Sequence, residues 1–142
     1  MEVNNCKTKS VRELGEVDLK PLMQVLMLVK DEWDKKEDFE VNHNKKASLS
    51  QVNHVNFRWS NKKAEPVEYF DLPLWEKVKS LLLPVMRKAV EPIGYNEGYF
   101  PRVMLAKMAP GTVIPEHIDG KSKGWIPHEI HVPILTNPKA LF

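Results

Sequence analysis

The sequence predicts an α+β fold: a helical N-terminal layer supporting a sheet. Two amphipathic stretches between residues 18 and 94 carry apolar side chains at three- and four-residue steps. Beyond Gly98 the texture changes to short β-rich runs punctuated by Pro and Gly. At 142 residues the chain is long enough for one domain with a real core, so residues 1 to 142 are read as a single domain, helices mainly within 18 to 94 and strands within 99 to 142.

The first helix is expected from Asp18 to Trp33, with Leu19, Leu22, Leu26, Val29 and Trp33 on one face. Asp18 is the candidate N-cap, and Pro21 is tolerable in the first turn. The run HVNFRW then alternates apolar and polar residues, which predicts a strand with Val55, Phe57 and Trp59 on one face. NKKAEPVEY reads as a solvated connection. Asp71 looks like the N-cap of a second helix whose buried stripe is Leu74, Val78, Leu81, Leu82, Val85 and Ala89. Pro84 falls inside it, removing a backbone donor and crowding the carbonyl of Ser80, so a kink or break is expected there. Gly94 and Gly98 end the helical part.

Three short strands are expected next, in PRVMLAKMA, TVIPEHID and HEIHVPIL. Pro110 and Gly111 fit the central positions of a type II turn, because Pro presets the first dihedral and Gly accepts the positive one at the second.

Charge and composition narrow the function. Lys plus Arg number 21 against 19 Asp plus Glu, scattered along the chain, so no nucleic-acid footprint is present. A single cysteine, Cys6, excludes an internal disulfide framework and suits a reducing compartment. The N-terminal residues lack a signal peptide's apolar core, and the apolar runs are far below membrane-spanning length, which leads to the expectation of a soluble cytoplasmic protein with no membrane contact.

The chemistry-bearing residues are His117 and Asp119. Two positions apart on a strand, they point to the same side and can converge on one ion. Imidazole plus carboxylate is two thirds of the facial ligand set of non-haem Fe(II) oxygenases. Chance alone yields about 0.2 such triplets in a chain of this composition, so the bare motif is weak. Its alternative reading is a strand-end His followed by an Asx-turn from Asp119 into Gly120.

Context adds specificity. Pro110 and Gly111 lead to Ile114, His117 and Asp119, then His131, Val132 and Pro133, then Thr136 and Asn137. Over residues 99 to 142 this series resembles the aspartyl/asparaginyl β-hydroxylase-like group of Fe(II)- and 2-oxoglutarate-dependent dioxygenases. The resemblance implies a double-stranded β-helix, the cupin-like jelly roll, incomplete at the C-terminus. It also implies a hydroxylase of an amino-acid side chain or small amino-acid-like substrate, small-molecule or peptidyl, that consumes dioxygen. Fe(II) would be held by His117 and Asp119, with 2-oxoglutarate as cosubstrate.

In the same resemblance His131 matches the histidine facing the 2-oxoglutarate pocket. Read without it, His131 is a core histidine bonded to a backbone carbonyl. Arg102, one strand before the motif, is a candidate for an acidic substrate group or a solvent-facing cation. Trp125 is a candidate for shaping substrate access or an aromatic plug of the core. His128 is read as a surface or packing residue.

The chain departs from the pattern at Glu129, where the family carries Arg. The family's distal His ligand and its basic 2-oxoglutarate anchor are expected beyond residue 142, so the chain reads as an N-terminal portion or a truncated relative, with an open sheet edge along HEIHVPIL through which it could pair with another chain. The rivals are a non-catalytic jelly-roll binding module or inactive truncated relative, and, last, a zinc hydrolase at His117 and Asp119.

Overall fold

The computed structural model describes residues 12–33, 52–61, 68–94, 100–115 and 129–140. In order, these form α1 (Lys20–Leu28), β1 (Val52–Asn61), β2 (Glu68–Asp71), α2 (Trp75–Val90), a 3-10 turn (Glu91–Ile93) and β3 (Val103–Met108). The three strands make an antiparallel sheet in the order β2-β1-β3. The two helices pack together, and their inner faces meet one face of that sheet: a small α+β domain.

The start of the first helix is corrected by one residue: Leu19, not Asp18, occupies the N-cap position, and no side chain caps it. Asp18 Oδ1 accepts from the backbone N–H of Lys20 at 2.9 Å, and Pro21 lies in the first turn, where a missing donor costs nothing. Leu22, Val25 and Val29 are buried, while Leu19 points outward and Trp33 is partly buried against the core. The helix is shorter than expected; beyond Leu28 the chain continues as turns to Trp33.

The second helix needs one correction. Asp71 is not its N-cap: it is the last residue of β2, and its Oδ1 accepts from Arg58 Nε at 2.6 Å, while Leu74 occupies the cap position. An Asp ahead of an apolar run resembles a cap, but here the opposite cation lies across the strand pair, where Arg58 faces Asp71 directly. The predicted connection NKKAEPVEY likewise ends in β2, four exposed residues with no burial pattern to announce them. The helix continues unbroken through Pro84, burying Trp75, Val78, Leu82 and Val85. It closes at Gly94, which takes φ 80°, its N–H bonded to the carbonyl of Glu91 at 3.0 Å.

In β1 the expected shared face of Val55, Phe57 and Trp59 is also corrected. The register passes from Asn56 opposite Met104 to Arg58 opposite Val103, which leaves Phe57 as the extra residue of a β-bulge. The bulge resets the alternation, so Val55 and Phe57 enter the core while Trp59 is half-buried outside it, opposite Phe70. Of the two strands expected beyond β3, residues 116–119 and His128 lie outside the described residues. Among the described residues, 112–115 and 129–135 form no ladder; the latter keep strand-like alternation, Val132 and Ile134 packing on the core. An apolar alternation is enough to dock an extended segment, but a strand also needs a neighbour for its N–H and C=O groups.

Candidate metal-binding segment

The segment begins with β3, which is fixed by pairing with β1 and by Leu105 in the core. The chain then reverses through Ala109–Thr112. The N–H of Thr112 donates to the carbonyl of Ala109 at 3.1 Å, and Gly111 takes φ 81°, the geometry of a type II turn with Pro110 and Gly111 at its centre. A Cβ on Gly111 would meet open space, so the constraint there is the positive dihedral, not crowding. Ile114 follows, half-buried, with Val113 exposed beside it.

His117 and Asp119 follow this turn directly, and with Trp125 and His128 they lie outside the described residues. Among the described residues no group of three or more His, Cys, Asp or Glu side chains could hold a metal ion. The donor set the motif itself offers, one imidazole and one carboxylate, suits Fe(II) as two ligands of a facial triad.

His131 is described, and its side chain is 70% exposed, on the side of its segment away from the core. It is therefore not the core histidine that its apolar neighbours suggested. Its Nε2 lies 4.0 Å from Glu129 Oε2, which sets a carboxylate beside this imidazole. Downstream, Asn137 Oδ1 accepts from the N–H of Lys139 at 2.9 Å and its carbonyl from the N–H of Ala140 at 3.0 Å, which makes Thr136–Asn137–Pro138 the entry to a turn.

Arg102 is held across the end of β1. Its Nε donates to Ser60 Oγ at 3.1 Å and its guanidinium lies over the Trp59 ring, 4.7 Å from the centroid. The sequence reading missed this partnership, and missed equally the stack of Arg58 on Trp75; the signal was present only as Arg and Trp residues whose register the bulge decides. The chain matches no family model, no curated protein and no solved structure. No helix among the described residues is long and apolar enough to cross a membrane.

Proposed function

We propose that the chain carries the metal-binding portion of an Fe(II)- and 2-oxoglutarate-dependent dioxygenase of the aspartyl/asparaginyl β-hydroxylase-like type, a hydroxylase of an amino-acid side chain or a small amino-acid-like substrate. One observation carries the reading: a strand and Pro-Gly turn deliver the chain to Ile114 and His117-x-Asp119, followed by His131-Val132-Pro133 and Thr136-Asn137. The finer architecture, a jelly roll, and a cytoplasmic setting belong to the same proposal.

In it, His117 and Asp119 would hold the metal through one imidazole nitrogen and one carboxylate oxygen. Bound iron and 2-oxoglutarate together supply the oxygen activation that side chains cannot. His131 donates a hydrogen bond to a 2-oxoglutarate carboxylate, with Glu129 opposing the same anion. Arg102, stiffened by Trp59 and Ser60, orients an acidic substrate group, and Trp125 borders substrate access.

The test is an anaerobic titration of the full chain with Fe(II) and 2-oxoglutarate, following the visible charge-transfer band of the chelate. The band is expected, and is expected to vanish in His117→Ala and in Asp119→Ala. Glu129→Arg, which removes the opposing anion, should tighten 2-oxoglutarate binding. A folded chain that develops no band overturns the reading in favour of a non-catalytic binding module.

A further inference from the structure

The two outer edges of the sheet differ. β2 is four residues long and carries Glu68 and Asp71, which blunts it as an edge. β3 is six residues, VMLAKM, with no Pro and one charge, and among the described residues its only ladder partner is β1. That one charge does not guard the edge. Lys107 folds onto the helix side, with Nζ 5.0 Å from the Trp33 ring centroid.

The side chains of β3 alternate accordingly. Val103 and Leu105 face the core with Lys107 on their side, whereas Met104, Ala106 and Met108 are exposed on the other face, with Met104 at 37% and Met108 at 49%. This apolar strip lies on the longer and less charged of the two outer strands and is nearly symmetric about Ala106.

We propose that β3 pairs antiparallel with β3 of a second copy of this chain, about a two-fold axis through Ala106, to give a continuous six-stranded sheet. An axis normal to the sheet keeps the helices of both copies on one side, and it matches only residues of the same parity. Centred on Ala106 it sets Met104 against Met108 of the second copy, twice, and Lys107 against Leu105, so the two lysines never face each other. The same strip that is exposed in one copy then becomes a continuous Met–Ala–Met contact, and the pairing closes, which limits the assembly to two. This inference does not depend on the proposed activity.

Sedimentation of the full chain should show a concentration-dependent rise from 16.4 kDa toward twice that mass and no further. Ala106→Lys, which sets two charges on the axis, should weaken the association at least tenfold. Because that variant could also unfold, a second arm uses Ala106→Cys in a Cys6→Ser background. Mild oxidation should link it into a dimer, while Cys6→Ser alone gives none. A native chain that stays monomeric, assemblies larger than two, a folded Ala106→Lys chain that associates normally, or an Ala106→Cys chain that fails to cross-link would each overturn the proposal.

Discussion

The guanidinium of Arg58 lies over the indole of Trp75, 4.5 Å from the ring centroid, while its Nε donates to Asp71 at 2.6 Å. One side chain on the central strand thus reaches both the neighbouring strand and the first residue of α2. Trp75 is almost fully buried, so the cation covers the outer face of a core aromatic. Arg58→Ala is expected to cost about 1–2 kcal/mol, combining a partly desolvated cation–π contact with lost packing. Asp71→Asn should cost less than about 1 kcal/mol, because that carboxylate is substantially exposed and its ion pair is screened. Urea denaturation of both variants checks the order; equal losses would show that the ion pair, not the stack, dominates.

The bulge at Phe57 makes a sharper claim about two aromatics two residues apart. Phe57 is fully buried and Trp59 is not part of the core. Phe57→Ala should lose about 3–5 kcal/mol, and Trp59→Ala clearly less, although Trp is the larger side chain. Were the strand regular, the two truncations would be comparable; chemical denaturation separates these cases.

At Gly111 the positive dihedral sets the expectation. Gly111→Ala meets no neighbour and still forces an L-residue into the left-handed region, so a loss of about 1–2 kcal/mol is expected, with Gly111→Asn milder. Thermal melts give the comparison. If the alanine variant matches the native chain, the turn is of another type in solution.

Pro84 sits in the middle of α2 with its side chain exposed, and its ring removes a backbone donor from a helix otherwise continuous. Pro84→Ala should therefore raise stability by about 1–3 kcal/mol, which an increased denaturation midpoint would register. A decrease would mean that the ring packs more usefully than its exposure suggests.

The parts legible in the sequence are those governed by local rules. The helical stripe foretold Val78, Leu82 and Val85, and the Pro-Gly pair foretold the turn that carries the chain toward His117, because dihedral preference needs no partner. What escaped was set by distant residues. Asp71 resembled a cap until Arg58, across the sheet, claimed its carboxylate, and Trp59 left the expected face because one inserted residue changed the count. HEIHVPIL illustrates the boundary between the two: Val132 and Ile134 turn inward while His131 turns outward, against its reading as a core histidine, and alternation cannot supply a neighbouring strand. The candidate site was readable as a motif at His117 and Asp119, and the structure describes its flanks on either side.

The sheet order β2-β1-β3 also governs how the domain can assemble itself. β1 meets β2 a few residues later in the chain, but it meets β3 only after all of α2 has intervened, with Val52 opposite Met108. The hairpin contact costs little chain entropy; the other closes a long loop before it returns any bonding. The entropy of chain closure therefore orders the events: the β1–β2 pair can form early, and β3 joins once α2 has folded across the sheet and shortened the effective loop. Core residues that link α2 to β1, Trp75 and Phe57 foremost, are then the ones whose truncation should slow folding, whereas changes in β3 should act chiefly by speeding its release.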